Sequence, residues 1–326
     1  MRYRTLGRTG LAVSEIGFGG WAIGGSWGAQ SEEDSVKALH RALELGVTLI
    51  DTAAGYGNGL SERIIGKVMQ ERRAWGKVTV ATKIPPAPGP WPPSPYCRAA
   101  ERYSEEYLRR NIEERLTNLV TDCVDVLQLH TWTRAWNRDP SPLEVLRRFK
   151  QEGKCRFIGV STPEHDQNSA NQLIRDGWLD TVQLIYNLFE QEPAAELLPL
   201  ALETGVGVIA RMPFDEGALT GKYTEDTRFD ESDFRSRYFM GDRLKRVVRE
   251  TAKVREDLEG SGFSLPEAAL KFVLAHPAIG VTIPGMRNER QAEANCSASD
   301  RPDLPEPLLL KLRRHNWRRA FWYEGR

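Results

Sequence analysis

The sequence predicts an α/β fold: one (β/α)₈ TIM barrel spanning residues 1–326, with an N-terminal β-hairpin and long loops after strands three and seven. Three observations predict it. Apolar, β-branched runs alternate with amphipathic helical runs, as βα units of a parallel sheet require. Several runs stay apolar to their last residue, as strands buried on both faces of a barrel wall do. Three consecutive runs then end in a polar side chain, and strand ends of a closed barrel share one mouth.

A hairpin is predicted over residues 2–15, followed by eight strands: Ile16–Gly19, Val47–Asp51, Val78–Lys83, Val124–His130, Phe157–Val160, Thr181–Tyr186, Gly207–Arg211 and Ile279–Ile283. The helices carry start and stop signals. Ser31 with Asp34 reads as a capping box, Val36, Leu39 and Leu43 share a face, and Gly46 ends that helix. Ser104 caps a helix whose Leu108, Ile112, Leu116 and Leu119 recur at helical spacing, with Glu105 and Glu106 in its first turn. The Glu and Arg residues of both helices are read as solvated faces.

Residues 85–103 contain seven prolines, Pro85 to Pro95, with Trp91 and Tyr96, and predict a long loop that is neither helix nor strand. Residues 213–241, rich in Gly, Asp, Arg and aromatics, predict a second excursion of the functional or mobile kind. The tail, 301–326, is predicted to form an apolar, basic helix ending in Phe321, Trp322 and Tyr323, packed on or near the barrel mouth.

Lys+Arg and Asp+Glu both number 45, so no global basic field exists to hold nucleic acid. No signal peptide and no membrane-length apolar run is visible, which predicts a cytoplasmic protein with no membrane partner. Cys97, Cys123, Cys155 and Cys296 form no CxxC or CxxH pair, so no metal site is expected and they are read as buried thiols.

The polar strand ends carry the chemistry. Asp51, Lys83 and His130 close strands two, three and four, and Tyr56 follows Asp51 in a Gly-rich turn. Taken singly, the Asp could cap a turn, the His could be a satisfied core group, and Tyr56 or Lys83 could lie on the surface. Taken together, they suit proton delivery to a carbonyl oxygen as hydride reaches its carbon. Tyr56 would donate the proton, Lys83 would stabilise the developing phenolate, Asp51 would hold Lys83, and His130 would orient the oxygen.

The run Ile50-Asp51-Thr52-Ala53-Ala54-Gly55-Tyr56-Gly57 with Ser61-Glu62 resembles the aspartate-tyrosine segment of the aldo-keto reductase family, in its long-loop, bacterial-type form. Thr82-Lys83, Leu127-Gln128-Leu129-His130, Ile158-Gly159-Val160-Ser161, Val182-Gln183, Leu219-Thr220-Gly221-Lys222 and Ile283-Pro284-Gly285 are similar to its later motifs, in order. The resemblance implies an oxidoreductase that reduces an aldehyde or ketone, reversibly, with NADPH preferred over NADH. It also implies cofactor contacts at Gly20, Trp21, Asp51, Ser161, Thr162, Gln183, Arg211, Pro213, Leu219, Gly221, Lys222, Gly285, Arg287, Gln291 and Asn295. For Gly20 and Gly285 a turn role is equally open.

Three positions depart from the family pattern. Thr162 stands where asparagine is usual, Arg211 where an aromatic often stacks on nicotinamide, and the Lys-Ser pair that other members use near Gly285-Met286 is absent, leaving Arg287 or Arg290 for a 2′-phosphate. The expected pocket for a small-molecule carbonyl or sugar substrate is walled by Trp21, Trp27, Tyr56, Trp91, His130 and Trp132, with Arg98, Arg134 and Arg138 able to reach its rim. A monomer is expected. Two other classes were weighed: a nicotinamide-binding regulatory subunit with vestigial activity, and a metal-dependent hydrolase using Asp51 and His130, which the scarcity of clustered histidines disfavours.

Overall fold

The computed structural model describes residues 1–25 and 27–317. Two short strands, β1 (Tyr3–Thr5) and β2 (Ala12–Ser14), form the N-terminal antiparallel hairpin. Eight parallel strands follow: β3 (Phe18–Gly19), β4 (Leu49–Asp51), β5 (Thr79–Ile84), β6 (Val124–Leu129), β7 (Cys155–Ser161), β8 (Thr181–Ile185), β9 (Gly207–Arg211) and β10 (Ile279–Thr282). They pair in sequence order, and the ring closes by bridges from Ile16 to Thr282 and from Gly19 to Gly285. The first predicted strand is shorter than expected. Ile16 reaches only an isolated bridge, because the chain there turns from the hairpin into the wall.

The hairpin plugs the N-terminal end of the barrel. Leu6 and Val13 meet the inward side chains Leu49, Ile209, Val281 and Ile283 in one dry cluster. Gly207 permits this approach, since a Cβ there would lie 2.8 Å from the Leu6 side chain. Outside the wall, β-strand residues pack against amphipathic helices, as layered α/β folds require.

Ser31 caps the helix Glu32–Glu44 through the amide of Asp34, and Ser104 caps Glu105–Leu119 through that of Tyr107. The buried stripe of the first is Ser35, Ala38, Leu39 and Ala42, with Val36 and Leu43 at its flanks. In the second, one arginine is not solvated: Arg115 is buried and its Nε lies 2.8 Å from the buried Glu62 carboxylate. It occupies the same stripe as Leu108 and Leu119, seven residues after the first and four before the second. Glu62 in turn accepts from Thr82 at 2.6 Å and Asn118 at 3.1 Å, so the buried charge is satisfied beside Lys83.

The proline-rich loop is more ordered in form than its composition suggests. It contains one helical turn, Ala99–Arg102, and the Arg102 guanidinium donates to the carbonyls of Ala87 at 2.7 Å and Pro90 at 2.8 Å. A proline-rich segment offers backbone acceptors with few donors, and one buried cation satisfies three of its carbonyls, those of Ala87, Gly89 and Pro90. The loop after β9 likewise holds a short helix, Phe234–Tyr238. The tail helix is Glu306–Arg313, ending earlier than expected, and the Trp317 amide donates to the Phe189 carbonyl at 3.0 Å. Phe321, Trp322 and Tyr323 lie outside the described residues.

Candidate active site

A cavity of about 930 Å³ opens at the C-terminal ends of the strands. Strand-end residues line it in order around the ring: Gly20 after β3, Asp51 on β4, His130 after β6, Ser161 on β7, Gln183 on β8, Arg211 on β9 and Gly285 after β10. Tyr56 rises from the turn after β4, and Lys83 lies buried beneath.

Lys83 is the hub. Its Nζ donates to Asp51 Oδ1 at 2.5 Å, to the Thr52 carbonyl at 2.8 Å and to the Tyr56 hydroxyl at 3.3 Å. Gln183 Nε2 donates to the other Asp51 oxygen at 2.7 Å. The His130 ring stands edge-on to Tyr56 at 5.9 Å, and the Trp21 ring stacks on Tyr56 at 5.8 Å and 12°. Thus the structure brings Asp51, Tyr56, Lys83 and His130 into one cluster.

Burial lowers the Lys83 ammonium, but Asp51 and Tyr56 outweigh it and hold this group above its ordinary value, so it stays charged. For Tyr56, burial raises the hydroxyl and exceeds the opposing pull of Lys83. The phenol therefore keeps its proton at rest. Its proton can leave only as compensating charge develops on the acceptor.

His130 is held well below the ordinary histidine range, by burial first and then by Lys83 and Arg211. The unfolded chain thus takes up a proton that folded His130 refuses, so its contribution to stability is complete above that range and is lost as pH falls through it. His130→Gln is expected to flatten part of the wild-type slope of denaturation midpoint against pH between about pH 5 and 7.5. An unchanged slope removes His130 from this role; His276, also lowered by burial and then Arg313, remains to supply a residual slope.

Buried polar atoms without partners gather here. Gln183 Oε1, Trp27 Nε1, Thr131 Oγ1, Arg211 Nε and Glu216 Oε2 all belong to residues on the cavity wall. Buried polar groups are almost always paired, so a cluster of exceptions facing one cavity marks a ligand site. The free Gln183 acceptor suits a carboxamide N–H, which a nicotinamide offers.

The remaining expected residues divide. Trp21, Trp27, Trp91, Thr162 and Pro213 line the cavity. The Thr162 hydroxyl is taken by Gln167 at 2.8 Å, so only its backbone is offered. Trp132 does not reach the wall: it is fully buried, packs edge-on to Trp136 at 5.5 Å and bonds Asn137. Leu219 is likewise in the core and presents no side chain. Gly221, at φ +73°, ends the turn before Lys222. Gln291 accepts from the Arg287 amide at 2.9 Å and Asn295 donates to the Gly285 carbonyl at 3.2 Å, so both shape the loop after β10.

Lys222 and Arg287 are joined by a residue with no sequence signal, Arg235. Burial, then Arg235 and Arg287, pull the Lys222 ammonium below its ordinary value. Arg235 donates to Asp233 at 2.5 Å and to the Tyr223 hydroxyl oxygen at 3.1 Å, and lies over the Trp27 ring at 4.7 Å. Three cations around one carboxylate suit the phosphates of a dinucleotide. Arg287 also bonds Gln30 at 2.8 Å and the Ala29 carbonyl at 2.5 Å, tying the first barrel loop to the last.

Glu164, His165, Phe214, Glu216, Phe234, Arg237 and Met240 also line the wall, where the sequence carried no motif for them. Arg134, by contrast, is paired with Asp166 at 2.5 Å, and neither it nor Arg98 nor Arg138 lines the cavity. Among the described residues, no three His, Cys, Asp or Glu side chains converge as metal ligands do, and no helix is long and apolar enough to cross a membrane.

Residues 15–309 match the model of the aldo/keto reductase family. An aldo-keto reductase of Bacillus subtilis, YhdN, is 33% identical over 90% of this chain and 87% of its own. A probable voltage-gated potassium channel subunit beta of Arabidopsis thaliana is 28% identical over 95% of this chain and 94% of its own. The structure of aldo-keto reductase AKR11C1 from Bacillus halodurans, holo form, superposes with a TM-score of 0.77 at 26% identity, covering 100% of this chain and 99% of that one.

Proposed function

Since the chain belongs to the aldo/keto reductase family, oxidoreductases that use nicotinamide cofactors, we propose that it reduces an aldehyde or ketone to the alcohol with NADPH, reversibly. The observation that carries this reading is Lys83 Nζ, which touches both Asp51 and Tyr56 at the base of a cavity rich in unpartnered polar atoms.

The bound cofactor supplies or accepts the hydride. Tyr56 and His130 hold the carbonyl oxygen, and the Tyr56 hydroxyl gives up its proton as negative charge grows there. Lys83 limits the cost of the phenolate, and Asp51, fixed by Gln183, keeps the ammonium aimed at it. Gly20, Trp21, Ser161, Gln183 and Gly285 bound the nicotinamide end, Pro213, Gly221 and Lys222 the pyrophosphate, and Arg287, Gln291 and Asn295 the adenosine. Trp27 and Trp91 wall the substrate side, where Trp91 stands 6.2 Å from His165. The bulk of apolar aromatic surface there favours an aromatic or hydrophobic carbonyl.

Mixing the protein with NADPH and a reactive aromatic aldehyde is expected to consume cofactor absorbance well above the aldehyde-free rate. No consumption across a broad carbonyl panel, in either direction, would falsify the reductase reading. The surplus of cations over Asp233 near Arg287 supports NADPH. Arg287→Ala is expected to weaken NADPH binding about ten-fold and NADH binding far less. Equal weakening of both, by fluorescence titration, assigns the 2′-phosphate to another residue. A second reading, a nicotinamide-binding regulatory subunit, is favoured by the likeness to channel beta subunits; tight NADPH binding with negligible turnover and a co-purifying protein distinguishes it.

A further inference from the structure

Lys83 and Arg211 both act on Tyr56 and His130, and only one of them is balanced. Lys83 is paired with Asp51 at 2.5 Å. Arg211 ends β9 on the cavity wall and donates to neutral acceptors, the Met212 sulfur at 3.2 Å and the Thr162 carbonyl at 3.2 Å. Its Nε is buried with no partner.

A carboxyl does face the same cavity, but it is a poor counter-ion at neutral pH. Glu216 is buried, and its Oε2 has no partner. Burial first, then Glu164 and Asp215, push it up to about 8 against the pull of Arg211 and Arg235. Of the groups packed around it, Asp215 receives the Tyr238 hydroxyl at 2.8 Å, and Tyr223 donates to the Glu216 backbone carbonyl rather than its carboxyl. Glu216 itself sits at φ +54°, and Asp215 at +47°, in a backbone region that side chains rarely occupy. Strain of this kind concentrates at functional sites.

The field of Arg211 reaches the centre of the cavity. It adds to burial and Lys83 in holding down His130, and it pulls on the Tyr56 hydroxyl. Gln183, whose free oxygen suits a carboxamide, is on the strand paired with β9. A ring exchanging hydride with a carbonyl at Tyr56 and His130 lies within that field. Oxidised nicotinamide carries a positive charge, and the reduced ring carries none.

We infer that Arg211 discriminates between the two oxidation states of the cofactor, disfavouring the oxidised ring, and that Glu216 switches this discrimination off when it ionises. The inference rests on the nicotinamide reading above. At neutral pH the bound couple is shifted toward its reduced form. Oxidised cofactor then departs readily after carbonyl reduction, and hydride removal from an alcohol is favoured within the complex. As pH rises through the Glu216 transition, a carboxylate appears on the same cavity wall within the field of Arg211, and the bias fades.

The test is the ratio of dissociation constants, Kd for NADP⁺ over Kd for NADPH, by calorimetric titration of the full chain from about pH 6.5 to about 9.5. Arg211→Met is expected to lower the neutral-pH ratio about ten-fold, and Arg211→Lys, which keeps the charge, to preserve it. The wild-type ratio should fall toward the Arg211→Met value above about pH 8, whereas Glu216→Gln should hold its neutral value throughout. A ratio unchanged in Arg211→Met, or equally lowered in Arg211→Lys, overturns the inference, as does a pH response that survives in Glu216→Gln. Wild-type protein that binds neither form overturns the nicotinamide reading itself.

Discussion

Replacing Tyr56 by phenylalanine is expected to lower kcat/KM for carbonyl reduction by about 10²–10⁴-fold, the range for removing a positioned proton donor. The substitution deletes one hydroxyl and keeps the ring that stacks on Trp21 at 5.8 Å and meets His130 at 5.9 Å. The pocket wall, Lys83 and Asp51 should therefore persist, and NADPH affinity should stay near the wild-type value. Because burial raises this phenol, its proton is held until the oxyanion forms, and among the described residues no other hydroxyl hydrogen-bonds Lys83. Steady-state kinetics with cofactor titration separates the effects. Rates within a few-fold of wild type would move the proton donor to another group, His130 first.

Lys83→Met is expected to damage both rate and fold. The ammonium is fully buried and Asp51 is 1% exposed, so its removal leaves a buried carboxylate held by Gln183 alone on its side-chain oxygens. Breaking one partner out of a buried ion pair costs about 3–5 kcal/mol, and the denaturation midpoint should fall accordingly. The double variant Asp51→Asn with Lys83→Met removes both charges. It should recover much of that stability but none of the activity, because the phenolate still lacks its cation. Recovery of turnover in the double variant would show that Lys83 acts only through folding.

The barrel and the centre of its mouth were legible in sequence because each is written as an interruption. An apolar strand that ends in Asp51, Lys83 or His130 has a reason to be polar there, and β-strand geometry delivers that residue to the mouth. Arg115 was legible too, since it falls on the apolar stripe of its helix, but charge was weighed above position. Trp132 misled for the converse reason: an aromatic after a strand end can turn outward to a ligand or inward to the core, and only the Trp136 contact decides. Glu216, Arg235 and Arg237 fall within the loop flagged at 213–241, but no spacing there singled out one residue over another. They lie on a loop without periodicity, where function comes from long-range convergence rather than from spacing.

The ring closes where its first and last strands meet. β3 contributes two residues to the wall, and the join to the last strand runs through the bridges Ile16–Thr282 and Gly19–Gly285, while Arg287 laces the loops on either side of it. In the proposed arrangement the dinucleotide runs along the same join, from Gly20 and Trp21 to Gly285 and Arg287. Occupancy and closure then share one equilibrium. Part of the ligand's free energy then appears as resistance to opening at that seam.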